Sequence, residues 1–95
     1  MSNVGASDRI TKEQATAIQA NATLAGDVLV WVITENPSDL PGRFVARPAS
    51  VKREVFYRVH LESDELDEVR TLLPPRLTLM PRDTTDDPVI VESWI

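Results

Sequence analysis

The stretch WVITENPSDLPGRFVARP, residues 31–48, holds two strand patterns and the turns between them. The first pattern already begins at Val28 and is apolar and β-branched on both faces through Thr34, which is typical of a strand covered on both sides. NPSD and LPGR each place a proline at the second position of a tight turn. Two successive turns reverse the chain, so the stretch predicts two adjoining strands.

The chain after the turns alternates in residues 43–47 and again in residues 53–62. Alternation with this period predicts strands with one buried face. Pro48 cannot donate a ladder hydrogen bond, so the first of these strands should end there or lie at an edge. In the second strand, the mostly apolar set that should face the core is Arg53, Val55, Tyr57, Val59 and Leu61. The opposite set is Glu54, Phe56, Arg58 and His60.

Two segments have helical patterns. Residues 11–25 begin with the capping box of Thr11 and Gln14 and end before Gly26, but their apolar stripe consists mainly of alanine, which predicts a weaker helix. Residues 63–73 begin at Ser63, carry acids near the start and a leucine-rich stripe, and end before two prolines, which predicts a strong helix.

Strand patterns at RLTLM, residues 76–80, and PVIVESWI, residues 88–95, complete the chain. We therefore expect a single small α+β domain with a mixed or mainly antiparallel sheet of four to five strands. The strong helix 63–73 should lie on one face, with helix 11–25 as an addition. This interpretation divides the chain into a mobile tail (1–10), a helical extension (11–27) and the α+β domain (28–95).

Composition disfavours several classes of protein. The chain of 95 residues has no cysteine, and its longest apolar run, VLVWVI, has six residues, whereas a membrane-spanning helix needs about 20. No secretory signal pattern is visible at the N-terminus. We therefore expect a cytoplasmic protein without disulfides and without a membrane partner.

Signals for catalysis are weak. His60 is the only histidine and no nucleophile elbow is present, so we expect a solvated strand histidine, no catalytic residue and no enzyme. The acids Asp83, Asp86 and Asp87 lack the spacing and the glycine of a calcium loop. Turn chemistry alone explains aspartates beside prolines, so we expect neither a metal site nor a cofactor.

Charge is distributed unevenly along the chain. The net charge is −5, yet residues 43–58 hold five bases and one acid. These bases could form a β-ribbon that binds nucleic acid, but acids elsewhere could also pair with them. Phe56, if exposed beside Val45, would instead form a patch for protein contact, unless the N-terminal helix covers that face. The candidate binding residues are Arg43, Val45, Arg47, Lys52, Arg53, Phe56 and Arg58.

Two motifs resemble a group of short uncharacterised proteins from bacteria and their phages. That group has an N-P-x-D-x-P-x-x-F-V-x-R core and a D-D-P-x-I-V-E-x-W-[IL] ending. The resemblance covers residues 29–95 and implies a bacterial or prophage origin and a single compact unit; residues 1–27 extend beyond it. The matched residues are Asn36, Pro37, Asp39, Pro41, Phe44, Val45, Arg47, Asp86, Asp87, Pro88, Ile90, Val91, Glu92, Trp94 and Ile95.

From these features we expect a non-enzymatic protein-interaction module. Its partner would be another protein or a second copy, bound through the sheet face near Val45 and Phe56 or through an edge strand. The alternative is a nucleic-acid-binding accessory protein that uses the basic residues of segment 43–58.

Overall fold

The predicted pair of strands forms the centre of the sheet. In a computed structural model that describes residues 7–80 and 89–95, β2 (Leu29–Glu35) pairs antiparallel with β3 (Phe44–Ser50) along their whole length. The amide N–H of Gly42 donates to the side-chain oxygen of Asn36 at 2.7 Å and closes the connecting loop. Asn36 (φ 54°) and Gly42 (φ 78°) take the left-handed backbone that the reversal needs.

The other strands extend this pair on both sides. In order, the sheet runs β1-β5-β3-β2-β7-β6, with β4 also beside β3; β1 is parallel to β5 and the other pairings are antiparallel. The α+β fold with a mixed sheet is therefore confirmed, but the sheet has seven strands rather than four or five. The remaining elements are β1 (Asp8–Arg9), α1 (Lys12–Leu24), β4 (Val55–Phe56), β5 (Val59–Ser63), α2 (Leu66–Leu72), β6 (Leu79–Met80) and β7 (Ile90–Trp94).

The predicted strand 53–62 is divided. Residues 51–54 form a turn, with Glu54 at φ 56°, and a bend at Arg58 separates β4 from β5. The prediction that β3 ends or forms an edge at Pro48 is wrong, because β3 continues to Ser50 inside the sheet. The Tyr57 N–H donates to the Pro48 carbonyl at 2.9 Å. The nitrogen and the carbonyl of a strand residue point toward the same neighbour. The missing N–H of Pro48 therefore faces the gap between β4 and β5, where no ladder bond is lost.

The two helices differ from prediction in relative length, because α1 has 13 residues and α2 only 7. α1 starts with the predicted capping box of Thr11 and Gln14 and ends before Gly26, which has φ 76°. α2 is shorter than the predicted 63–73, because Ser63 belongs to β5 and pairs with Phe44. No helix in the part of the chain that the structure describes is long and apolar enough to cross a membrane.

Both helices cover the same face of the sheet. Trp31 donates from Nε1 to Gln19 of α1 at 2.8 Å, and the Lys12 ammonium reaches the carbonyls of Thr71 and Leu73 at the end of α2, both at 2.8 Å. Ala15 and Ala22 of α1 are buried in the core and Ile18 packs against it, so the thin apolar stripe of this helix does contact the rest of the domain. The core residues are Ala15, Ala22, Leu29, Trp31, Ile33, Ala46, Leu61, Val69 and Leu73.

An ion pair between an exposed arginine and a buried carboxylate joins α2 to the last strand. Arg70 donates to both carboxylate oxygens of Glu92, at 2.7 and 2.8 Å, and Trp94 Nε1 donates to the same carboxylate at 3.0 Å. Hydrogen bonding from Arg70 lowers the pKa of Glu92 despite the opposing effect of burial. Glu92 therefore stays charged in the folded protein at neutral pH and anchors the C-terminal strand.

Candidate functional site

The sheet face opposite the two helices is the first candidate surface, and we call it the open face. Successive residues of a strand point to opposite faces, so Val30 and Val32 lie on the face opposite the helix-covered Trp31. Their partners on β3, Ala49 and Arg47, lie on the same face as they do. On the neighbouring strand, Phe56 pairs with Ala49. N-terminal helix α1 lies on the other face, so it does not cover Phe56.

One end of the open face is apolar. Phe56 is 57% exposed, and the ladder continues by one pair through the hydrogen bond from Val51 N–H to the Val28 carbonyl at 2.9 Å. Met80 pairs with Ser93, which itself pairs with Val32. These side chains form the apolar patch, which comprises Val28, Val30, Val32, Ala49, Val51, Phe56 and Met80.

Val45 does not belong to this patch. It was expected beside Phe56, but it pairs with Thr34 and Glu62 at the other end of β3 and is fully buried. The partner of Phe56 is Ala49, four residues further along, or about 13 Å at the rise of a strand. The apolar surface is therefore centred on Phe56 and the valines of β2.

The other end of the open face is polar and internally neutralised. Arg43 Nε donates to Glu62 Oε2 at 3.0 Å, and the same guanidinium binds Asp64. Arg47 binds Asp39 of the preceding loop. Burial raises the pKa of Glu62, but hydrogen bonds from Arg43 and His60 outweigh this effect and hold it below its usual value. Arg43, which directly precedes β3, and Arg47 within β3 therefore both have acidic partners within the protein.

His60 is buried rather than solvated, with 4% of its surface exposed. Its Nδ1 lies 2.5 Å from Ser7 Oγ and its Nε2 lies 3.4 Å from Glu62 Oε1. The set resembles a serine-histidine-acid relay in composition, but the carboxylate is already engaged by Arg43 and has Arg9 at 3.9 Å. Since Ser7 precedes β1, the contacts instead fasten β1 to β5.

The five basic residues of segment 43–58 do not form one ribbon. Arg43 and Arg47 lie at the polar end of the open face. Lys52 and Arg53 lie in the turn after β3 and line a cleft on the helix side of the sheet, and Arg58 is exposed in the bend before β5. The structure thus separates the five basic residues among the predicted binding residues into three groups.

The cleft is the second candidate surface. It has a volume of about 460 Å³ and lies between the end of α1 and the turn that joins β3 to β4. Sequence reasoning did not detect it, because its walls come from segments 18–27 and 52–57 that adjoin only in the folded chain. Asp27 links these walls, and no motif in the sequence marks that role. The lining residues are Ile18, Asn21, Ala22, Ala25, Asp27, Lys52, Arg53 and Tyr57.

Metal binding finds no support in the described residues, which contain no group of three or more potential ligands. The aspartates Asp83, Asp86 and Asp87 lie outside the described residues. Comparison of the chain with protein-family models, curated proteins and solved structures finds no match. The open face and the cleft are therefore the two candidate functional surfaces of the protein.

Proposed function

We propose that the protein is a non-enzymatic interaction module whose apolar patch binds a second copy of the same chain. The observation that carries the proposal is the exposure of Phe56 (57%), Val51 (52%) and Val28 (46%) together at one end of a sheet face. Exposed apolar side chains that cluster on one surface are typical of contact sites, whereas scattered ones are ordinary.

Charge favours a second copy as the occupant. The patch itself carries no charged side chain, so nothing on it would select a charged partner, and an apolar surface is complementary to its own copy under a two-fold axis. At the polar end of the face, Arg9, Arg43 and Arg47 are paired with Asp39, Glu62 and Asp64 within the protein, so this end offers no excess charge to attract a charged partner. When two copies meet through their apolar patches in an antiparallel arrangement, each polar end stays in solvent.

The size of the patch sets the expected strength. The patch extends from β4 across β3, β2 and β7 to β6. With strands about 4.8 Å apart and a rise of about 3.3 Å per residue, it spans roughly 19 Å by 13 Å. A standard interface buries about 800 Å² on each partner. Self-association should therefore be weak and concentration-dependent. The dimer would be tighter only if the two copies also made contacts through other parts of the open face.

Sedimentation velocity over a range of protein concentrations tests the proposal. The wild type should show an average sedimentation coefficient that rises with concentration, and Phe56→Glu should abolish the rise. Leu24→Glu is the matched control, because Leu24 is 86% exposed at the end of α1, away from the patch. A wild type that stays monomeric at millimolar concentration, or equal effects of the two substitutions, would refute the proposal.

The alternative, nucleic-acid binding, is supported by three cations, Lys52, Arg53 and Arg58, that have no ion-pair partner among the described residues. Their separation from Arg43 and Arg47, and a net charge of −5, weaken it. Titration of labelled duplex and single-stranded DNA at two salt concentrations distinguishes the two functions, since phosphate contacts weaken as salt rises.

A further inference from the structure

The cleft between α1 and the turn after β3 has a rigid frame. Asp27 accepts hydrogen bonds from the N–H of Val28 at 2.7 Å, the N–H of Lys52 at 3.0 Å and the hydroxyl of Ser50 at 2.5 Å. Ser50, which is 1% exposed, accepts from the N–H of Arg53 at 3.0 Å. One carboxylate and one hydroxyl thus fix the backbone from which both basic side chains extend.

The acidic and the basic groups of the cleft differ in how many of their hydrogen-bonding positions are already used within the protein. Both carboxylate oxygens of Asp27 are engaged, and its pKa is lowered mainly by the hydrogen bond from Ser50. Lys52 and Arg53, by contrast, form no close ion pair among the described residues, although the charge of Arg53 helps to lower the pKa of Asp27. Two cations against one acid leave the cleft with a single excess positive charge, which suits a monoanion better than a polyanion.

The remaining walls are apolar and aromatic apart from one amide, that of Asn21. Ile18 and Ala22 form the helix side, and Ala25 also lines the cleft. The guanidinium of Arg53 lies over the Tyr57 ring, 5.4 Å from its centre, which restrains both groups through a cation–π contact. A volume of about 460 Å³ falls within the range of small-molecule pockets, roughly 300–1,000 Å³.

We infer that this cleft binds a small organic carboxylate with an apolar or aromatic body. The carboxylate would pair with Lys52 and Arg53, and the body would lie against Ile18, Ala22 and the Tyr57 ring. This ligand site is independent of the apolar patch, since the cleft lies on the helix-covered side of the sheet.

Titration of the isotope-labelled full chain with 3-phenylpropionate, followed by amide chemical shifts, tests the inference. Saturable shifts are expected at Asn21, Ala25, Lys52, Arg53 and Tyr57. Phenethylamine, which has the same ring and the opposite charge, should produce none of them. Absence of saturable shifts at millimolar 3-phenylpropionate, or equal binding of the amine, would overturn the inference.

Variants locate the site. The doubly substituted Lys52→Gln, Arg53→Gln chain should bind 3-phenylpropionate at least about tenfold more weakly, since charged hydrogen bonds contribute about that factor or more. Arg58→Gln removes an exposed charge outside the cleft and should bind as the wild type does. Ala25→Leu should block the opening while retaining all charges. If Arg58→Gln weakens binding as much as the double substitution, attraction by net charge explains the result and the inference fails.

Discussion

The two faces of the central sheet come from the same strands but have different surroundings. Trp31 and Ile33 of β2 are fully buried beneath both helices, whereas their neighbours Val30 and Val32 on the open face are only half-buried. A strand that is apolar on both faces therefore does not imply cover on both faces. The uncovered set is the better place to look for a contact surface.

The largest expected difference lies between adjacent residues of β2. Trp31→Ala should lower the free energy of unfolding by about 3–5 kcal/mol, because it opens a cavity and leaves Gln19 without its hydrogen-bond donor. Val30→Ala, one residue away on the open face, should cost about 1 kcal/mol. Urea unfolding monitored by circular dichroism measures both. Similar losses would show that the two faces are equally buried in solution.

A middle-sized effect is expected at the ion pair on the covered face. Glu92→Gln should cost about 1–3 kcal/mol near neutral pH, because Arg70 and Trp94 would lose a charged acceptor. The side chain of Asp67, which also pairs with Arg70, is 88% exposed. Asp67→Asn should therefore cost under about 0.5 kcal/mol.

The same pair predicts a pH dependence. The folded-state pKa of Glu92 is depressed, so its contribution is fully present above the unfolded value of about 4.3 and is lost as pH falls through the lower folded value. Unfolding free energies measured from pH 7 down to pH 3 should therefore decline less steeply for Glu92→Gln than for the wild type. Parallel declines would rule out Glu92 as a contributor.

Local signals in the sequence predicted much of the fold. The turn at Pro41 and Gly42, the capping box at Thr11 and the left-handed Gly26 depend on neighbouring residues alone, and all three are confirmed. The turn at Pro37 is displaced by one residue, because the N–H of Leu40 donates to the Pro37 carbonyl at 3.0 Å and so places Pro37 first in the turn rather than second. The break between β4 and β5 was missed, because alternation from residue 53 to 62 contains no proline or glycine that would mark it. Tertiary pairing with β3, and the bend at Arg58, impose it instead.

The candidate site was only partly predictable for the same reason. Alternation assigned Phe56 to the correct face, but exposure depends on what packs over a residue. Val45 shares that face and is nevertheless fully buried. The sequence also does not predict which face of the sheet α1 covers, because a stripe of alanines indicates no preferred packing partner. The cleft around Asp27 requires two distant segments to meet, which no single stretch of sequence encodes.

The smallest change in unfolding free energy is expected at Phe56, and it tests the difference between the two sheet faces most directly. Phe56→Thr keeps a residue that favours strands, and at dilute concentration it should change the free energy of unfolding by under about 0.5 kcal/mol. Leu24→Gln, at the 86% exposed end of α1, should behave alike. A large aromatic that contributes so little to the monomer would leave its apolar surface free for contact between copies. A loss above about 2 kcal/mol in urea unfolding would instead place Phe56 in a packed core and remove the basis for the proposed dimer.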